Sequence, residues 1–226
     1  GHNQNDNGDQ QNIGHVSNNV VNFRHHDVKF SAEAPNCADG NTNDHIDGRT
    51  DQCQRNGDAG AIPDGIKGRV IVAGMGKSGI VASKMVSTFN STGTRAQYLH
   101  AADALHGDLG MVTADDVVII VSKSGNTSEI EKLALGVRKI GAPIVAIVSN
   151  KESFLAKSAE YILYAPIEHE ACCCNLAPTV STTVHLVLGD ALAVALENLN
   201  GFGVADFAKV HPEGSIGEET KKILSL

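Results

Sequence analysis

The stretch that decides the fold is "DVVIIVSKSGNTSEIEKLALGVRKIGAPIVAIVS", residues 116–149. It opens with a continuous run of β-branched residues and breaks abruptly at Ser-Lys-Ser-Gly. An amphipathic helical pattern follows, and then a second apolar run. Strands that are apolar on both faces, separated by a helix, read as one β-α-β unit of a parallel sheet covered on both sides. The break itself is unusual. It places four hydroxyl residues, Ser122, Ser124, Thr127 and Ser128, and a glycine within seven positions.

Outward from this unit the pattern repeats. "RVIVAG" (69–74), "AQYLH" (96–100) and "AEYILYA" (159–165) are further short strand candidates, so five strands are expected in all. Helical stretches follow as "KSGIVASKMVSTFNSTG" and, last and longest, "PTVSTTVHLVLGDALAVALENLNG". The middle of that long helix is apolar nearly all round, which implies burial in a core or a subunit interface. The expected class is α/β, a five-stranded parallel sheet covered by helices on both faces.

Residues 1–64 differ in kind. Asn, Asp, Gly, Gln and His dominate, and the only aromatic residues are Phe23 and Phe30. Such a segment buries little apolar surface against the entropy of ordering it. The expected organisation is a polar N-terminal segment over 1–64, irregular or disordered, and one domain over 65–226. The histidines of the tail read as part of a solvated polar segment.

Composition narrows the partners. The net charge is -8 with no basic cluster, which argues against nucleic acid. No run reaches the roughly 18 apolar residues of a membrane span, and no signal-peptide pattern opens the chain. The five cysteines, Cys37, Cys53 and the run Cys172-Cys173-Cys174, form no C-x-x-C pairs. Neither a disulfide framework nor a zinc site is indicated, and a reducing cytoplasm fits best.

Ligands of such sheets bind beyond the carboxyl ends of the strands. After the first strand comes "GMGKSG" (74–79), where Gly76, Lys77 and Ser78 stand at the start of a helix with its free N–H groups and positive end. It lacks Walker spacing. After the third strand, Ser122, Ser124, Gly125 and Thr127 make an anion cradle of hydroxyls and helix amides. Thr127 or Ser128 would cap the helix, and Ser128 with Glu131 could form a capping box. Two such loops at adjacent strands point to a phosphorylated ligand, with Lys77 and also Lys123 to offset its charge. The acid–base groups near the strand ends are His106, Glu129, Glu168, His169, Glu170 and His211, a set suited to proton transfer.

These residues resemble a known family. "GMGKSG", "STGT", "HGDLGMV", "SxSGNTSEI", "EAC…LAPTxSTT", "GDALAVAL" and "HPxGxIG" recur in this order in the arabinose 5-phosphate isomerases of the sugar isomerase (SIS) domain superfamily. The resemblance covers about residues 66 to 218. It implies a three-layer, flavodoxin-like α/β/α sandwich around the five-stranded parallel sheet, a homotetramer, no organic cofactor and no metal. It implies interconversion of D-ribulose 5-phosphate and D-arabinose 5-phosphate, feeding synthesis of the lipopolysaccharide sugar Kdo. Catalytic positions carried over are Lys77, His106, Glu129, Glu170 and His211, with phosphate at Ser122, Ser124 and Thr127. A non-catalytic SIS module that senses a sugar phosphate, or another SIS sugar-phosphate isomerase, is the alternative.

The chain departs from the family pattern at Lys123, usually Asn; at Cys173, usually Pro; at Glu213, usually Gly; and at Asp103, commonly Glu. Its N-terminal region is polar where the family has apolar helices. A form without the regulatory pair of CBS domains is expected.

Overall fold

The computed structural model describes residues 67–225. The polar segment over 1–64 lies outside the described residues. Five parallel strands, β1 (Val70–Gly74), β2 (Ala96–His100), β3 (Val117–Val121), β4 (Ile144–Val148) and β5 (Tyr161–Tyr164), form one sheet in the order β2-β1-β3-β4-β5. All five strand candidates are present, and the flavodoxin-like expectation holds.

The helices are α1 (Gly76–Ser91), α2 (Ala101–Ala104), α3 (Ser128–Ile140), α4 (Phe154–Ser158), α5 (Val180–Leu199), α6 (Val204–Val210) and α7 (Gly214–Leu224). A 3-10 turn at Asp108–Met111 follows α2. The short helices α2 and α4 and the C-terminal pair α6 and α7 go beyond those read from the sequence.

Alternation along the strands builds two cores. Ile71, Ala73, Val118, Ile120, Ile144 and Ala146 face α3 and α4 with Ile130, Leu133, Val137 and Leu155. Val70, Val72, Val117, Ile119, Val145 and Ile147 face α1 and α5 with Met85, Phe89, Leu192 and Leu196. Both faces of β1, β3 and β4 are buried, which is why those strands read as unbroken apolar runs.

Helix α5 has the length and mean hydropathy, 1.4 over its best window, of a membrane span. Here it covers the sheet. Its inner stripe of Ser181, His185, Gly189, Leu192, Ala193 and Leu196 is buried, and it packs along α1, where Lys84 pairs with Asp190. Its outer face leaves Val187 and Val194 exposed.

The register aligns Gly74 with His100 on one side and with Val121 on the other. The loops after β1, β2 and β3 therefore leave the same edge of the sheet together. The chain winds outward in opposite directions from β1 and β3, so the crevice between them is the topological switch point, where open α/β sheets bind ligands.

Candidate functional site

The two glycine-flanked loops flank this switch point. In "GMGKSG", Gly76 takes φ +56 with open space where a side chain would begin. That left-handed conformation favours glycine and turns the chain into α1, leaving Lys77 exposed and Ser78 half-buried at its first turn.

The β3 loop is braced from behind. Ser122 is buried, and its Oγ accepts the Gly125 N–H at 3.1 Å. Gly125 takes φ +69, and a Cβ there would lie 2.4 Å from Ser153 Oγ. The Gly125 carbonyl accepts the Leu155 N–H, and Asn126 Oδ1 accepts the Phe154 N–H at 2.7 Å. The loop is thus fixed to the start of α4, which Ser153 caps.

Its outer side is open. Ser124, Thr127 and Ser128 are exposed. Thr127 occupies the N-cap position of α3, yet its side chain makes no capping bond, and neither does Ser128 with Glu131. The expected capping box is absent, which leaves these hydroxyls and the first amides of α3 available for an anion. Glu129, half-buried in the first turn of α3, has no hydrogen-bond or ion-pair partner among the described residues.

The β5 loop is the opposite. Glu170 has a side chain only 2% exposed. Its Oε1 accepts from Lys123 Nζ at 2.7 Å. Its Oε2 accepts the backbone N–H of Thr179 at 2.9 Å, the N–H of Ser181 at 3.1 Å and the Thr179 hydroxyl at 3.3 Å. Thr179 is the N-cap of α5, so Glu170 caps that helix from outside it. The Glu170 N–H in turn donates to Asn175 Oδ1 at 2.5 Å. Burial pushes the Glu170 carboxyl upward, but Lys123 and the donors of Ser181 and Thr179 outweigh it and hold the group far below the usual carboxylate range.

Lys123, expected to help offset a phosphate's charge, reaches from the β3 loop to pair with Glu170.

His185 was not singled out by the sequence. It lies on the inner stripe of α5, fully buried, and neither ring nitrogen has a partner among the described residues. Desolvation lowers its pKa to about 4; the charge of Glu170 pulls the other way and that of Lys123 adds to the lowering. It is a neutral core imidazole behind Glu170. Only its place in an otherwise apolar helix could have hinted at this.

The structure brings together the loops carrying Lys77, Ser78, Ser122, Ser124, Gly125, Thr127 and Glu129, and ties Glu170 to them through Lys123. His106 is exposed between α2 and the 3-10 turn, which packs against α3. His211 stands apart. It ends α6, its ring stacks on Phe207 with centroids 3.9 Å apart, and its Nδ1 lies 3.1 Å from the Phe207 carbonyl. Among the described residues, no hydrogen bond, ion pair or ring contact joins it to the strand-end loops.

Comparison with known proteins gives this geometry a family. Over 151 residues the chain is 53% identical to the arabinose 5-phosphate isomerase KdsD of Pseudomonas aeruginosa, covering 67% of this chain and 46% of that one. It is 49% identical over 153 residues to KdsD of Escherichia coli, covering 68% and 47%. The chain thus spans about half the length of the curated relatives it matches. A solved Escherichia coli CFT073 protein in complex with arabinose 5-phosphate superposes with a TM-score of 0.64 at 45% identity, over 65% of this chain and 78% of that one. The SIS domain model matches residues 66–195, a span that contains both glycine-flanked loops, Lys123 and Glu170. The chain belongs to the SIS domain family.

Proposed function

We propose that this chain interconverts D-ribulose 5-phosphate and D-arabinose 5-phosphate. The observation that carries the reading is the open cradle at the switch point, within a stretch about half identical to arabinose 5-phosphate isomerases.

The phosphate sits between the two loops, against Ser124, Thr127, the amides of α3 and Lys77. Ser122 keeps the cradle in shape from behind. Binding energy from the phosphate orients the sugar carbons, which are the reacting part. Isomerisation then needs a base to take the C1 proton of the ketose and return a proton at C2, through a cis-enediol. It also needs a group to move the hydroxyl proton between O1 and O2.

Glu129 is the carbon base, because it stands uncommitted in the first turn of α3 beside the cradle, whereas Glu170 is saturated. Glu170 is a poor base, since a carboxylate held far below neutrality by four donors has little affinity for a proton. Its role is to fix the start of α5. Lys77 stabilises the developing oxyanion. His106 or His211 shuttles the hydroxyl proton. The separation of His211 from the loops within this chain supports its delivery from a neighbouring subunit, and the exposed Val187 and Val194 of α5 supply apolar surface for a homotetramer. The reading includes a cytoplasmic setting, no organic cofactor or metal, and a product that feeds Kdo and lipopolysaccharide synthesis.

The test is incubation of the purified chain with D-ribulose 5-phosphate and an assay for D-arabinose 5-phosphate. Turnover is expected. Tight binding of either sugar phosphate with no interconversion would replace the isomerase by a sensing module.

A further inference from the structure

The run Cys172-Cys173-Cys174 plays no part in the reading above, yet its surroundings are built. Cys172 Sγ accepts the backbone N–H of Leu176 and that of Ala177, each at 3.1 Å. The turn that aims these amides inward is closed by the Asn175 N–H donating to the Cys172 carbonyl at 2.9 Å. Asn175 takes φ +54, the one non-glycine left-handed residue among those described. Consecutive amides converging on one atom form an anion nest, and the atom in this nest is a sulfur. The amides of Ala177 and Leu176, and then those of Cys174 and Asn175, draw the thiol below its ordinary value.

The neighbours are thiols as well. Cys173 and Cys174 are exposed, with their sulfurs 3.6 Å apart, and Cys172 is half-buried. Adjacent cysteines bridge poorly, because Cα atoms about 3.8 Å apart lie under the usual disulfide range of about 4.4–6.8 Å. A bridge that skips one residue escapes that limit.

We propose that Cys172 is a peroxide-reactive thiolate and Cys174 its resolving partner, so that this loop is a reversible oxidation site. The co-reactant is a hydroperoxide, either hydrogen peroxide or an alkyl one. The Cys172 thiolate attacks the terminal peroxide oxygen. An S–O bond forms, the O–O bond breaks, and the leaving oxygen takes a proton as water or alcohol. Sulfur loses two electrons and the peroxide gains them. The Cys174 thiol then attacks the sulfenic sulfur. The S–S bond forms, the S–O bond breaks, and hydroxide leaves with the Cys174 proton as water. Two thiols and one hydroperoxide give one disulfide, one alcohol or water, and one further water.

The bridge would empty the nest and pull on Asn175, whose side chain accepts the Glu170 N–H. Oxidation thus reaches the loop that caps α5. The inference does not rest on the isomerase reading, and its readouts are masses rather than turnover.

The experiment uses the full chain at pH 7. Iodoacetamide labelling, followed by peptide mass spectrometry, should modify Cys172 about three- to tenfold faster than free cysteine, the gain in thiolate fraction being partly offset by lower nucleophilicity. Equimolar hydrogen peroxide should give a Cys172–Cys174 disulfide that dithiothreitol reverses. In Cys174→Ser, dimedone should trap a sulfenic acid at Cys172. The wild-type labelling rate needs no variant to fold. Labelling of Cys172 no faster than free cysteine overturns the proposal, as does a peroxide-treated chain in which Cys172 stays reduced, whether or not Cys173 and Cys174 bridge.

Discussion

The loop after β3 and the loop after β5 leave the same edge of the sheet, and each carries a carboxylate of the acid–base set. They differ in how their polar groups are used. In the β3 loop the inward groups are committed: Ser122 holds Gly125, and Asn126 holds Phe154. Among the outward groups, Thr127, Ser128 and Glu129 have no side-chain partner among the described residues, and Ser124 Oγ accepts only a long 3.5 Å bond from the Asn126 N–H. In the β5 loop the carboxylate is saturated, with a lysine and three α5 donors on Glu170. Exposed hydroxyls and helix amides on a rigid support are free to exchange water for a ligand, whereas a buried, saturated carboxylate is a joint in the frame. On the proposed reading the chemistry lies with the first loop, while Glu170 in the second fixes the start of α5.

Substitutions can break this contrast, beginning with the largest effect. Glu129→Gln should lower the isomerisation rate by about 10²–10⁴, the scale of a lost general base, with unfolding by urea unchanged. Steady-state rates and a urea curve measured together check it. A variant that turns over normally would transfer the base to another residue.

Glu170→Ala should act on stability. It removes the cap of α5 and strands Lys123, and losses on breaking buried ion pairs run to about 3–5 kcal/mol; the partial exposure of Lys123 places this one near about 3 kcal/mol. Equilibrium denaturation reads this directly. A variant as stable as the parent but catalytically dead would reverse the two roles.

The imidazole behind that joint gives a pH signature. The folded pKa of His185 is lowered from 6.5 to about 4. Below pH 6.5 the unfolded chain binds a proton that the folded chain refuses. The stability due to the neutral ring is therefore complete above pH 6.5 and falls by about 3 kcal/mol as pH drops to about 4. His185→Leu should flatten this limb of the stability–pH curve. The Glu170 contribution, with its pKa lowered from 4.5, is lost only below that value. An unchanged limb in His185→Leu would show that the ring is charged or hydrated in the folded state.

The smallest effect is Ser124→Ala. It should weaken sugar-phosphate binding by about 1–2 kcal/mol, the scale of one charge-assisted hydrogen bond, and leave binding of the unphosphorylated sugar alone. Calorimetric titration with both ligands separates the two. A variant that keeps the parent's preference for the phosphate removes Ser124 from the cradle.

The sheet was legible in the sequence because strands buried on both faces must be apolar throughout, as "VVIIV" and "IVAIV" are. The candidate cradle was legible because its hydroxyls sit together on one loop. The Lys123–Glu170 pair was not, since 47 residues separate the partners and neither flank announces the other. The only sign was a lysine where the family carries asparagine. His185 hid in a largely apolar helix, where its placement was the only hint. The nest around Cys172 depends on a left-handed asparagine, a conformation that sequence pattern does not specify. Local chemistry shows in sequence, whereas joints made across the fold show only in coordinates.

The most direct test of the division between the two loops is a crystal structure with D-arabinose 5-phosphate bound. The account predicts phosphate oxygens within about 2.7–3.2 Å of Ser124 Oγ and the first amides of α3, the sugar carbons facing Glu129, and Lys123 still on Glu170. A phosphate held by Lys123, with Glu170 released toward the sugar carbons, would contradict it.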